Sequence, residues 1–174
     1  MNLSLTCNDI KICETNPYLV AYFVHDLVIY TFIKIYYFDL ISETTKSKFP
    51  YIDDRINCGN LRKDGKLIFS GLNNGKILVH EANKKLCIRN YNFHKLQINS
   101  LEVSSNLTDI LSSSNDLSIK IFNLSRNEPI LSFDKAHSDY VKTAKYIDEY
   151  TIISGGSDKY IKLWDIRGVK INLI

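Results

Sequence analysis

The chain has 174 residues, 45% hydrophobic and 24% charged, with three prolines and seven glycines. That is the length of one domain and the composition of an ordinary globular protein, which excludes a disordered, collagenous or disulfide-dense chain. The 22 basic residues exceed the 19 acidic ones by three, and 17 of the 22 are lysines spread along the chain, so no basic block marks a nucleic-acid surface. Cys7, Cys13, Cys58 and Cys87 never reach Cys-x-x-Cys spacing, and His25, His80, His94 and His137 are equally scattered. No metal site is expected from them, and the cysteines read as thiols in a reducing compartment.

In chain order, Met1 to Pro17 is interrupted by Asn8, Asp9, Lys11 and Glu14, so it has no uninterrupted apolar stretch for export. Tyr18 to Ile41 is mostly apolar or aromatic but contains His25, Asp26, Lys34 and Asp39. Its uncharged pieces fall well short of the ~20 residues that span a bilayer. It reads as strands rich in Val, Ile, Tyr and Phe, with a turn at His25-Asp26 and no membrane contact.

From there on the chain repeats at an offset of 42 residues. Gly156 through Asp165 (GSDKYIKLWD) falls on Ser114 through Asn123 (SNDLSIKIFN), which falls on Leu72 through Glu81 (LNNGKILVHE), with no gap in either step. Each copy is a polar turn followed by an alternating run, with Ile161 and Leu163, Ile119 and Ile121, or Ile77 and Val79 as its apolar members. That pattern is a strand entered through a tight turn. Two further apolar runs precede each turn, at Ile56–Leu61 and Lys66–Ser70, Ile98–Val103 and Asp109–Ser112, and Tyr140–Tyr146 and Tyr150–Ser154. A fourth follows, at Lys85–Tyr91, Pro129–Phe133 and Val169–Ile174. Four short strands per unit define an all-β propeller of about four blades, fewer than most rings contain, and an incomplete ring is expected. The blade boundaries expected are a divergent blade at about 8–48, then about 49–93, 94–136 and 137–174. In the divergent blade a gapless step makes Ile35–Asp39 the third strand. The turn read at His25-Asp26 favours instead Leu27–Phe32 as that strand, with Ile35–Leu40 outermost.

Ser154-Gly155-Gly156-Ser157-Asp158 through Leu163-Trp164-Asp165 resembles the WD-repeat β-propeller family. The resemblance implies a structural hydrogen-bond set of His137, Ser154, Asp158 and Trp164, linked as indole to hydroxyl to imidazole to carboxylate. The preceding unit keeps His94, Ser112 and Asp116 but has Phe122, which lacks a donor, so its set is partial. The unit before keeps Ser70 and has Asn74 and His80. Ser154, His137 and Asp158 could be mistaken for a catalytic triad, but the repeat accounts for all three and no nucleophile elbow surrounds the serine. No catalytic residue, cofactor site or metal site is expected, nor a small-molecule substrate.

Within the family, Leu61-Arg62-Lys63-Asp64-Gly65-Lys66-Leu67 and His137-Ser138-Asp139-Tyr140-Val141 resemble a WD-repeat component of the UtpA (t-UTP) subcomplex of the small-subunit processome. The resemblance implies a non-enzymatic scaffold in the nucleolus, acting in pre-rRNA processing and ribosome biogenesis. Its partners would be other processome proteins, with pre-rRNA or small nucleolar RNA nearby. Arg62, Lys63, Lys84, Lys85, Arg126, Lys135 and Lys159 are the exposed cations that would face such partners, but ordinary solvated loop charges account for them better. Trp164-Asp165-Ile166-Arg167 also resembles the box of propellers that serve as substrate receptors for cullin–RING ubiquitin ligases. In that reading Arg167 offers its guanidinium to an adaptor; in the plainer one it pairs with Asp165.

Overall fold

The computed structural model describes residues 6–12, 18–26, 31–39, 41–48, 54–84, 86–168 and 170–173. Among them are sixteen strands, in four sheets of four. The first sheet comprises β1 (Thr6–Ile12), β2 (Tyr18–Asp26), β3 (Thr31–Asp39) and β4 (Thr44–Lys48). The second comprises β5 (Ile56–Leu61), β6 (Leu67–Leu72), β7 (Ile77–Glu81) and β8 (Leu86–Tyr91). The third comprises β9 (Ile98–Val103), β10 (Asp109–Ser114), β11 (Ile119–Asn123) and β12 (Pro129–Phe133). The fourth comprises β13 (Val141–Tyr146), β14 (Thr151–Gly156), β15 (Ile161–Asp165) and β16 (Lys170–Leu173). Each is an antiparallel meander in chain order, and the first strands of successive sheets lie side by side: β1 by β5, β5 by β9, and β9 by β13.

The 42-residue period recurs in the hydrogen bonds. Across the turns between second and third strands, Leu72, Ser114 and Gly156 donate their N–H groups to the carbonyls of Lys76, Ser118 and Tyr160. Within the same turns Asn74, Asp116 and Asp158 accept from the N–H groups of Lys76, Ser118 and Tyr160, an Asx turn made three times. The left-handed residue each turn needs is Gly75 (φ 85°), Leu117 (φ 71°) or Lys159 (φ 69°). Beyond each third strand, Ala82, Leu124 and Ile166 donate to the carbonyls of Lys66, Thr108 and Tyr150.

Alternation along the strands gives the second, third and fourth sheets two apolar faces, and three cores fill the gaps between sheets. Ile35 and Tyr37 of the first sheet meet Ile56, Leu61 and Ile68 of the second. Phe69, Ile77 and Val79 of the second meet Ile98, Leu101, Ile110 and Phe122 of the third. Leu111, Ile119 and Ile121 of the third meet Val141, Ala144, Ile152 and Trp164 of the fourth. The face that each sheet turns toward its successor is called here its trailing face, and the opposite one its leading face. Among the described residues no core joins the fourth sheet to the first, so the four sheets form an open arc.

The first sheet corrects the strand assignment expected there. Its third strand is β3, ending at Asp39, as the gapless step gives; His25 and Asp26 end β2 instead of forming a turn, and β4 is outermost. The pairing explains the error. Leu19 and Val20 pair with Phe38 and Tyr37 as Ile68 and Phe69 pair with His80 and Val79. β3 therefore stands 42 residues before β7 while β2 stands 49 before β6, and the hairpin between β2 and β3 carries seven extra residues. Tyr18 to Ile41, tested above as a membrane segment, supplies β2 and β3, and among the described residues no helix is long and apolar enough to cross a membrane.

The αL turn position separates steric from entropic effects. A Cβ on Gly75 would collide with the His94 carbonyl oxygen as well as occupy a left-handed conformation. Gly75→Ala is expected to lower stability by about 2–4 kcal/mol. Lys159 holds the same conformation in solvent, and Lys159→Gly is expected to leave stability unchanged or raise it by up to about 1 kcal/mol. Urea unfolding of the two variants beside the parent checks both signs.

Candidate functional site

The fourth sheet holds a continuous chain of hydrogen bonds from its third strand to the loop that leads into it. Trp164 Nε1 donates to Ser154 Oγ (2.9 Å), Ser154 Oγ lies 2.8 Å from His137 Nε2, and His137 Nδ1 lies 2.8 and 2.9 Å from the two oxygens of Asp158. An ionised carboxylate only accepts, so Nδ1 carries the proton; in the neutral ring Nε2 then accepts from the serine hydroxyl. Every step is satisfied in one direction: indole N–H to hydroxyl, hydroxyl to imidazole, imidazole to carboxylate. Asp158 also accepts from the N–H groups of Ser138 and Tyr160. Burial alone would raise its pKa, but His137 and these N–H donors outweigh burial and hold it below the usual carboxylate range. A Cβ on Gly156 would lie 2.7 Å from His137 Nδ1 and 2.8 Å from Asp158 Oδ1, so glycine is what lets the imidazole seat against the turn.

The third sheet repeats the arrangement without the indole. His94 Nε2 lies 2.8 Å from Ser112 Oγ and His94 Nδ1 lies 3.0 Å from Asp116 Oδ2. Phe122 stands in the tryptophan slot and packs against Tyr91 and Phe93, with ring centroids 4.9 and 5.3 Å away. Ser112 Oγ instead has the Lys120 carbonyl at 3.3 Å, and Ser118 adds a 2.6 Å hydrogen bond to Asp116. Burial opposes ionisation of Asp116, yet hydrogen bonds from His94, Ser118 and the Lys95 N–H hold its pKa well below the usual carboxylate range.

The second sheet puts His80 in the same slot, buried, where desolvation pushes its pKa down to about 4. Ser70 is buried beside it in the strand that Ser112 and Ser154 occupy in their sheets. Here Asp54, a residue not singled out from the sequence, ties the turn by accepting from the Asn74 N–H at 2.6 Å. In the third and fourth sheets the carboxylate sits on the turn instead, where Asp116 and Asp158 accept from the N–H groups of Lys95 and Ser138.

Ser154, His137 and Asp158 have the spacing of a hydrolase triad, but their burial decides what they can do. Ser154 and His137 are each 1% exposed, and the serine oxygen already takes the indole N–H. No substrate carbonyl can reach Oγ in line with the imidazole. The arrangement pins a loop to a hairpin.

The exposed cations are not gathered into one surface. Arg62 forks onto Asp64 at 2.7 and 2.9 Å, and Lys84 pairs with Glu81 at 3.1 Å. Lys63, Arg126, Lys135 and Lys159 are exposed, and Lys85 lies outside the described residues. In a meander, the turns after first and third strands lie at one end of the sheet and those after second and fourth at the other. Arg62, Lys63, Lys84 and Arg126 therefore sit at one end, Lys135 and Lys159 at the opposite one. The end with Lys63 also carries a hollow of about 470 Å³ whose lining includes Glu102, Asp109, Asp148 and Glu149. Arg167, named for a partner contact, forks onto Asp165 at 2.7 and 3.0 Å and lies over the Tyr150 ring. Among the described residues Cys58 is buried and Cys87 exposed, and no group of three His, Cys, Asp or Glu residues gathers in metal-binding geometry.

The histidine in the aromatic slot has a consequence for acid stability. The unfolded chain binds a proton at His80 below about pH 6.5 and the folded chain only below about 4, so stability rises with pH between those values. The loss on acidification across that window is expected to reach up to ~3 kcal/mol. Asp116 and Asp158, with lowered pKa values, contribute stability above the ordinary carboxylate range that is lost only as pH falls through their folded values. His80→Phe, which copies the third sheet, is expected to flatten the pH 4–6.5 window and leave the decline below it, measured as urea midpoints at pH 7, 5.5, 4.5 and 3.5.

Two segments match the WD domain, G-beta repeat, at residues 85–123 and 127–165. Each runs from the outermost strand of one sheet through three strands of the next, so a single repeat ties two sheets together. The 66 kDa stress protein of Physarum polycephalum is 30% identical over 105 residues, covering 60% of this chain and 18% of that one. The U3 small nucleolar RNA-associated protein 15 homolog of Xenopus laevis is 24% identical over 136 residues, covering 77% and 26%. Its namesake in Schizosaccharomyces pombe is 27% identical over 131 residues, covering 74% and 26%. The chain thus spans about a fifth to a quarter of the length of these curated relatives. Among solved structures, a chain of the mitotic checkpoint complex overlays with a TM-score of 0.86 at 18% identity, over 100% of this chain and 54% of that one. Repeats, sheet order and overlay agree: the protein is an all-β, four-bladed open arc with the fold of a propeller, and its residues 85–123 and 127–165 are WD repeats.

Proposed function

We propose that the protein is a non-enzymatic scaffold of the small-subunit processome, acting in nucleolar pre-rRNA processing and ribosome biogenesis. The observation that carries the reading is the similarity, over about three-quarters of the chain, to relatives named for association with the U3 small nucleolar RNA in a frog and a fission yeast. The burial of the one Ser-His-Asp-Trp set supports a scaffold over a hydrolase. Partners of the UtpA type would dock on turns and sheet edges, with pre-rRNA or small nucleolar RNA nearby. Protein contacts suit the surface better than phosphate contacts do, because the cations are divided between two ends and the hollow near Lys63 is lined in part by carboxylates. The Asp165 fork on Arg167 gives the ligase-receptor reading no support.

Affinity purification of the tagged product of the full locus from native extract, with mass spectrometry and RNA sequencing, tests the reading. Enrichment of U3, pre-rRNA and processome proteins is expected. Cullin and adaptor peptides without pre-rRNA would overturn it.

A further inference from the structure

At the end that carries Lys63, two successive sheet junctions are filled differently. Between the second and third sheets Arg62, the residue after β5, crosses the gap. Its guanidinium forks onto Asp64 and comes within 3.5 Å of the Leu107 carbonyl in the β9–β10 turn, and its side chain is only 18% exposed. One 42-residue step on, where the trailing face of the third sheet meets the leading face of the fourth, Ser104 stands in its place and Asn106 in the place of Asp64. The serine is too short to cross; it donates to Asn106 within its own turn. The hollow of about 470 Å³ lies there, between the β9–β10 and β13–β14 turns, and its whole lining falls between residues 63 and 166.

Charge changes in the opposite sense. At the first junction the counterparts of Glu102 and Asp109 are Asn60 and Leu67, and the facing turn offers Ser105 and Asn106. At the second, Glu102 and Asp109 face a turn that carries Asp148 and Glu149, and the lining sets one cation, Lys63, against these four carboxylates. Asp109 accepts from the side-chain amides of Asn106 and Asn123, and Asp148 from the N–H groups of Tyr150 and Thr151, neutral donors that leave each charge in place. Val103, Ile121 and Ile166 add apolar wall, and Tyr146 and Tyr150 add two rings. The Tyr146 hydroxyl is shielded from solvent and, among the described residues, has no hydrogen-bond partner, a costly state until a donor reaches it. Burial, and then the charges of Asp109 and Glu102, push its pKa up, so it stays a hydroxyl that can accept.

We propose that the hollow between the third and fourth sheets takes an arginine side chain from a partner protein, seated as Arg62 is seated at the junction before it. The methylenes lie along Val103, Ile121 and Ile166, the fork meets Asp109 and Glu149, and an N–H donor comes to the Tyr146 hydroxyl. Arginine suits the place better than lysine, because a planar fork addresses two carboxylates at once and because the group that fills the preceding junction is a guanidinium. The same carboxylates repel a phosphate. The proposal is independent of the particle in which the protein serves.

Nuclear magnetic resonance titration of the full chain with the peptide acetyl-Gly-Arg-Gly-amide tests it, beside the same peptide with lysine or with citrulline, which keeps arginine's shape without its charge. The arginine peptide is expected to shift the backbone signals of residues 104–106 and 147–150 saturably, with a Kd on the order of 1 mM. The lysine peptide is expected to bind at least about threefold more weakly, and the citrulline peptide not to bind. Glu149→Gln, on an exposed turn, and Asp109→Asn are each expected to weaken the arginine peptide roughly fivefold or more. Ser104→Arg, which copies Arg62, is expected to abolish binding by filling the hollow from within, with the far-ultraviolet spectrum of the parent; should it fail to fold, the two carboxylate variants carry the test. No saturable shift at these residues, a lysine or citrulline peptide that binds as well as arginine, or an arginine peptide indifferent to Glu149→Gln and Asp109→Asn or to a folded Ser104→Arg would each overturn the proposal.

Discussion

The contact between successive sheets is apolar on both sides, and nearly every other feature follows from it. A strand whose two faces are both buried cannot alternate simply between apolar and polar residues, and β6, with all six residues buried, does not. Such strands must be short and their ends polar, so each sheet closes with tight turns whose donors and acceptors are met locally. The Asx turns at Asn74, Asp116 and Asp158 do this at the same place three times. Burial supplies the stabilisation and the turns fix the register, which is why a single period governs both the cores and the hydrogen bonds.

One slot shows how far that order bends. Trp164, Phe122 and His80 occupy equivalent positions on the third strands, and all three are buried. With tryptophan, the indole N–H must be satisfied, and Ser154 and His137 carry it to Asp158. With phenylalanine no donor is left over, and the Ser112–His94–Asp116 set serves only to pin the loop. With histidine, a titratable ring sits where its charged form is unwelcome. The core tolerates all three because packing on the neighbouring sheet is the shared requirement and the hydrogen bond is a local addition.

Much of this was legible in the sequence because self-comparison needs no knowledge of geometry. The gapless alignment of 72–81, 114–123 and 156–165 located three third strands and the turns before them, while the histidine sets came from the resemblance to the WD-repeat family. It failed where lengths changed. The hairpin between β2 and β3 is seven residues longer than the one between β6 and β7, so two offsets hold within the first sheet and no single step aligns it. His25 and Asp26 looked like a turn because polar residues interrupted an apolar run, but in a nine-residue strand they are simply its end. The left-handed position was equally hidden. Only Gly75 announces it, and Leu117 and Lys159 hold the same backbone without the residue type that marks it. Asp54 was missed because sequence order does not reveal that a side chain before one strand meets a turn twenty residues later.

The division of labour between core and turns bears on how such a protein recognises anything. Side chains between sheets are committed to packing, and the histidine sets are sealed beneath them, so chemistry available to a partner lies at the two ends of the sheets. At the ends, several charges are paired: Arg62 with Asp64, Arg167 with Asp165, Lys84 with Glu81. Such pairs give shape and hydrogen-bonding pattern without a strong net field, which suits recognition of a matching protein surface and gives little long-range attraction to a polyanion.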